Sequence, residues 1–177
     1  AEEEEIADSG LKTYGVLTRN QETATPGDCF SQDITDAVEK GETYKFSFWA
    51  KLSDDYKDAP EEQRNVEFAP FYVSGGEATY LGSYSAGILS GDCTKTLKAG
   101  EWTKYEGTFK IPKAADQVVI RIIEQGTNDG QGDCVKGTYY VTGVSMNKIE
   151  REKPSIEKDI PDWKESVKAA LGNDVVA

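Results

Sequence analysis

Residues 43–52 read TYKFSFWAKL, and the alternation in these ten positions decides the fold. Side chains of a strand point to opposite faces with a period of two, so Tyr44, Phe46, Phe48, Ala50 and Leu52 share one face and Lys45, Ser47, Trp49 and Lys51 the other. A strand apolar on one side covers a core with that side, and Trp49 belongs to the side turned to water. The same alternation recurs at 11–19 (LKTYGVLTR), 29–35 (CFSQDIT), 65–73 (NVEFAPFYV), 101–111 (EWTKYEGTFKI), 117–125 (QVVIRIIEQ) and 138–149 (TYYVTGVSMNKI). Between these runs stand the turn signals EKGE, SGGE, KAGE, IPKAAD and NDGQGD. Short strands at that spacing predict an all-β fold, a β-sandwich.

The stronger of two helical candidates lies outside this pattern. Residues 161–174, PDWKESVKAALGND, place proline near an N-terminus, Trp163, Val167, Ala170 and Leu171 at helical spacing, and Gly172 at the end. The charged stretch EREKPSIEKD (150–159) separates it from the last strand. The expected organisation is an acidic extension at 1–8, a sandwich module at 9–149, and a linker with the helical start of a neighbouring domain at 150–177.

Composition excludes several functions. With 20 Lys+Arg against 32 Asp+Glu the formal charge is -12, which repels phosphate backbones and anionic lipid, so neither nucleic acid nor membrane is an expected partner. The same charge weighs against a preference for uronate-rich polysaccharides. The chain has no histidine, which removes Ser-His-Asp and Cys-His catalysis and every zinc site built on imidazole. An enzyme made of these residues would work with carboxylates. No apolar run approaches the ~18 residues that span a bilayer. AEEEEIADSG is acidic where a signal peptide is basic and then apolar, and the expectation is a monomer, secreted or at the cell surface, whose export signal is gone.

All 3 cysteines stand in the step Gly-Asp-Cys, at Cys29, Cys93 and Cys134. Glycine and aspartate make turns, so each cysteine is expected where a loop enters its next strand. Cys-x-x-Cys pairs are lacking, so metal binding is a weak reading. A disulfide between two of the three fits an exported protein; its three pairings stay open, as does a set of free thiols.

The segments SGLKTYGVLTR, FSQDITDAVEKGETYKFSFWAKL, YVSGGEATY, LKAGEWTKYEGTFKIP, ADQVVIRIIEQG and YYVTGVSMNKI resemble, in order and spacing, the family 22 carbohydrate-binding modules. Those modules are jelly-roll sandwiches of the galactose-binding-like type that bind xylan, and the tail IEKDIPDWKESVKAALGNDVVA is similar to the start of a family 10 xylanase catalytic domain. The resemblance implies a non-catalytic module that binds xylan or xylo-oligosaccharides in an open cleft and holds a covalently attached xylanase on plant cell wall. Tyr80 aligns with a sugar-contacting tyrosine of the family and Glu124 with its hydrogen-bonding glutamate. Pro26, in ETATPGD, replaces a cleft tryptophan. The family's calcium-binding aspartate is replaced in YYVTGV by Thr142 and Gly143, so a structural calcium is only weakly implied, and no cofactor is required. The Gly-Asp-Cys steps fall in stretches longer than the family pattern, which places them around that cleft.

Sugar binding suits these residue types: an aromatic plane packs against a pyranose face while charged or amide groups hold its rim. Trp49 on the polar face of its strand and Tyr84, four residues after Tyr80, are further stacking candidates, and Arg121 is a further polar one. Alternation along 117–125 sets Arg121 and Glu124 on opposite faces, so both reach one cleft only through a bulge. The rival reading is a small glycosidase using two of Glu67, Glu77, Glu101, Glu106 and Glu124, which must face each other at about 5–9.5 Å. A third is a structural spacer without a row of exposed rings.

Overall fold

The computed structural model of the protein describes residues 13–20, 29–82, 85–124 and 135–150. Their strands form two antiparallel sheets, as the alternation predicts. One sheet runs in the order β1 (Gly15–Arg19), β11 (Gly137–Lys148), β3 (Thr43–Leu52), β9 (Thr103–Lys110) and β7 (Leu89–Gly91). The other, six-stranded, runs β6 (Glu77–Tyr80), β5 (Phe71–Ser74), β10 (Gln117–Glu124), β4 (Asn65–Phe68) and β8 (Thr94–Thr96), with β2 (Cys29–Asp33) also on β10. β10 is the spine of this second sheet. One edge pairs along Val119–Ile123 with β2, and the other takes β5 at Gln117–Val119 and then β4 at Ile122–Glu124.

The core is the set of inward positions that the alternation marks. Tyr44, Phe46, Phe48, Ala50 and Leu52 of β3 are all buried. Phe46 stacks on Phe68 of the other sheet with ring centroids 4.1 Å apart, and Phe48 stacks at 4.4 Å on Tyr105, its cross-strand neighbour in the same sheet. Each such ring contributes roughly 1.5–3 kcal/mol by leaving water. Tyr105 also satisfies its polar end, donating its hydroxyl to the Val66 carbonyl at 2.8 Å.

Where strands differ from the expected runs, the chemistry explains it. NVEFAPFYV divides at Ala69–Pro70 because proline has no N–H for the ladder, giving β4 and β5 end to end on one side of β10. β6 follows a two-residue turn whose glycines, Gly75 and Gly76, have φ of 58° and 86°, a geometry glycine adopts without strain. β7 and β8 have three residues each, too few to reveal a period. β11 shifts register between Thr142 and Ser145, a bulge. The helix expected at 161–174 lies outside the described residues.

Cys29 opens β2 and Cys93 immediately precedes β8, the loop-to-strand position expected of a Gly-Asp-Cys step; Cys134 lies outside the described residues. Cys93 is a buried free thiol that points its Sγ at the Ser90 carbonyl, 3.7 Å away. Burial, then the charges of Glu67 and Asp92, push its pKa up. The bridge Cys29–Cys93 is therefore not made, and pairings with Cys134 fall outside the described residues.

Asp33 ties the end of β2 to β10. Its Oδ1 accepts from the Thr35 N–H at 2.9 Å and the Thr35 hydroxyl at 2.6 Å, and its Oδ2 from Gln117 Nε2 at 2.7 Å. The Gln117 hydrogen bond first, then those from Thr35, hold this carboxyl below the usual aspartate range. A depressed folded-state pKa stabilises the protein above the unfolded value of about 3.9 and loses that contribution as the pH falls through the folded value. Asp33→Ala should thus melt below the parent at neutral pH, with the gap closing on acidification below about pH 4. Thermal melts across that range check it; a gap of constant size would show that the charge is not what acts.

Candidate functional site

Directly paired residues of neighbouring strands share a face, so the register of the second sheet defines its outer surface. β5 pairs Phe71 with Tyr80 of β6 on one side and with Val119 of β10 on the other. β4 pairs Glu67 with Ile123 and with Thr94, and Arg121 pairs with Ser31 of β2. Tyr80, Phe71, Arg121 and Glu67 therefore look out from one face. Tyr80 is the most open of the large apolar side chains there, 65% exposed. Its ring leans on Phe71, centroids 5.3 Å apart, and the Arg121 guanidinium lies 4.9 Å from its centroid and 5.5 Å from that of Phe71.

Arg121 is itself anchored, since its Nε donates to the Ala69 carbonyl at 2.8 Å. That carbonyl belongs to the Ala69–Pro70 break between β4 and β5, so the proline that splits the strand also exposes the group that fixes the arginine. A cation over an exposed ring contributes about 0.5–1 kcal/mol, enough to bias the ring of Tyr80 toward one orientation. Glu67 shares the face but is only 7% exposed, and a Cβ added at Gly82 would come within 3.1 Å of its Oε1, so the chain leaving β6 passes close to it. The result is an open aromatic platform with a fixed guanidinium beside it and a covered carboxylate further along the sheet.

The structure brings together two of the residues that the sequence singles out, Tyr80 and Arg121, and separates Glu124 and Trp49 from them. Glu124 faces inward, opposite to Arg121 along a β10 that has no bulge, and is fully buried. Its carboxylate pairs with Nη1 of Arg19, whose Nη2 donates to the Glu124 carbonyl at 3.2 Å. The pair joins β1 of one sheet to β10 of the other. Trp49, half-buried, sits on the outer face of the first sheet between Thr142 and Lys104, so it cannot line a groove with Tyr80. Tyr84 lies outside the described residues.

The rival pair of glutamates has no shared groove. Glu67 lies on the outer face of the second sheet, Glu124 between the sheets, and Glu106 on the outer face of the first. Glu77 starts β6 and Glu101 stands in the turn before β9. At Thr142, where the resemblance places the family's calcium-binding aspartate, the hydroxyl donates to the Thr13 carbonyl.

Phe71 and Arg19 escaped the sequence, and Glu67 was read from it only as one of the rival glutamates. Phe71 and Glu67 were recoverable, because the two-residue turn Gly75–Gly76 sets the hairpin register that puts Phe71 beside Tyr80, and Glu67 and Phe71 share a parity in NVEFAPFYV. Arg19 was not, since nothing local to LKTYGVLTR marks its end as a partner for a residue over a hundred positions away.

The model of the Carbohydrate binding domain family matches residues 2–130 of this chain. No curated protein is significantly similar in sequence. Among solved structures, the CBM22-1 xylan-binding domain of Paenibacillus barcinonensis Xyn10C shares 16% identity over 69% of this chain and 65% of that one, with a TM-score of 0.48. The CBM22-1–GH10 modules of Clostridium thermocellum xylanase 10B, complexed with xylohexaose, share 18% over 67% of this chain and 19% of that one, with a TM-score of 0.46. The enzymatically active domain of tailspike protein 4 of bacteriophage CBA120 shares 16% over 83% of this chain and 17% of that one, with a TM-score of 0.50. The tailspike likeness is one of fold alone; the other two carry no argument at their TM-scores. The chain spans less than two thirds of each of these structures.

Proposed function

This chain belongs to the carbohydrate-binding domain family, and on that premise we propose that it is a non-catalytic module that binds xylan or xylo-oligosaccharides on the outer face of its six-stranded sheet. The observation that carries the proposal is Tyr80, a ring 65% exposed and steadied from the side by Phe71 and Arg121. Tyr80 stacks on a pyranose face, and Arg121 donates to hydroxyls at its rim. Glu67 lies on the same face within a covered part of it. Xylan as the ligand rests on the sequence motifs that resemble family 22 modules. The tail, similar to the start of a family 10 catalytic domain, supports a role in holding an attached xylanase on plant cell wall. Linkage of that kind raises the local concentration of enzyme at an insoluble substrate without new chemistry. The proposal is completed by an extracellular location, a monomer, and binding that needs no metal or other cofactor.

An open face covers one side of a polysaccharide, so the affinity for xylohexaose should be modest, with Kd on the order of 10⁻⁵ M. Calorimetry measures it, and a hydrolysis assay on the same polysaccharides accompanies it. Binding without hydrolysis is the expected result. Reducing sugar released by the pure chain would instead favour the glycosidase reading, and the absence of binding to any plant polysaccharide would favour a spacer. Binding should also survive in a chain that stops at Glu150, because the face lies wholly within the sandwich.

A further inference from the structure

We propose that the outer face of the five-stranded sheet is a second carbohydrate-binding surface, and that it takes uronate-bearing polysaccharide; the inference rests on the carbohydrate-binding reading of the chain. At one end of this face the rings of Tyr14, Trp102 and Tyr140 form a cluster, with centroids 5.9 Å apart for Tyr14 and Trp102 and 5.4 Å for Tyr14 and Tyr140. The Lys51 ammonium lies over two of them, 5.1 Å from the Trp102 centroid and 5.3 Å from that of Tyr140. Tyr14 is 43% exposed, and Val16, paired with Tyr140, is 53% exposed, so the cluster opens to solvent. Trp49 extends it along β3 with Lys104 as its cross-strand partner.

The charge of this face is opposite to that of the molecule. The formal net charge of the chain is -12, yet Lys45, Lys51, Lys104 and Lys110 alternate outward on β3 and β9 with Glu106 as the one carboxylate among them. Glu106 is shared, 3.1 Å from Lys104 and 3.6 Å from Lys45, and these lysines hold it below the usual carboxylate range. A surplus of positive charge remains. Hydroxyl pairs Thr18–Thr138, Ser47–Ser145 and Ser90–Thr108 fill the ground between. Rings for sugar faces, hydroxyls for sugar rims and ammonium groups for carboxylates are what a uronate chain requires. A purely apolar protein contact would leave the lysines desolvated without partners. The net charge, which weighs against uronates, thus does not describe β3 and β9, where four outward lysines face a single carboxylate.

Polygalacturonate and xylohexaose serve as the two probes, read by calorimetry on the full chain at low and high salt. The parent should bind polygalacturonate, more weakly as salt screens the lysines. Lys51→Gln combined with Lys104→Gln should reduce that affinity about fivefold or more, and Tyr14→Ala should also reduce it, while both leave xylohexaose binding unchanged. Tyr80→Ala should do the reverse. Removing two lysines elsewhere, Lys57→Gln with Lys98→Gln, controls for net charge and should leave polygalacturonate binding as it is. The inference is overturned if the parent binds xylohexaose but not polygalacturonate, if the control pair weakens binding as much as the lysines of the face, or if Tyr80→Ala abolishes both. Binding of neither probe overturns the carbohydrate-binding reading and this inference with it.

Discussion

Glu124→Ala should destabilise the protein by about 3–5 kcal/mol, because it leaves the Arg19 guanidinium inside the sandwich with its buried partner gone. Domains of this size have a total stability of about 5–15 kcal/mol, so the variant would lose about a fifth or more of it and melt ten degrees or so lower. Arg19→Ala should be comparably harmful, since a lone buried carboxylate is no better tolerated. The double replacement Arg19→Met with Glu124→Leu should recover most of the loss, because two apolar side chains of similar volume carry no desolvation penalty. Urea unfolding of the parent, the single variants and the double variant gives the four corners of the cycle. Single variants within about 1 kcal/mol of the parent would mean that the pair is wet rather than buried.

The same cycle decides what Glu124 does in binding. The resemblance to family 22 modules implies a ligand contact, whereas the carboxylate is turned inward and paired. A folded double variant separates the two roles: unchanged xylohexaose affinity makes the pair a brace between the sheets, and lost affinity with an intact melt makes its carboxylate part of the site. Alternation alone had placed Glu124 away from Arg121, and the unbroken register of β10 agrees.

How much of the molecule was legible follows from how local each signal is. TYKFSFWAKL announced β3 residue for residue, because a strand with one buried face writes its period into consecutive side chains. Three-residue strands such as β7 and β8 owe their existence to neighbours across the sheet, and no period can be read from them. The site divides in the same way. Tyr80 and Arg121 were identified by type, motif and parity, but their meeting depends on β5 and β10 being neighbours, a long-range fact. Trp49 shows the converse: its outward position was legible, while the sheet to which β3 belongs, and hence its distance from Tyr80, was not.

Tyr80→Ala should weaken xylohexaose binding by about 2–2.5 kcal/mol, roughly 30- to 70-fold, if one sugar face covers ~80–100 Å² of apolar ring surface at ~25 cal/mol per Å². With a total of about -7 kcal/mol for a Kd near 10⁻⁵ M, this one ring supplies about a third of the binding. The fold should hardly notice. Tyr80 is 65% exposed at the end of an edge strand, and what it loses inside the protein is its contact with Phe71 and the cation–ring contact with Arg121. Those are contacts of about 1 kcal/mol or less each at an exposed site. Tyr80→Phe sharpens the test, for it keeps the plane and drops only the hydroxyl, so most of the affinity should remain. Arg121→Gln should reduce affinity by a smaller factor than Tyr80→Ala, both by removing a donor at the sugar rim and by releasing the ring it steadies. Calorimetry beside a thermal melt for each variant reads these effects. A Tyr80→Ala chain that binds within twofold of the parent and melts with it would move the site off this face, and the cluster around Trp102 would then be the surface to test for xylan as well.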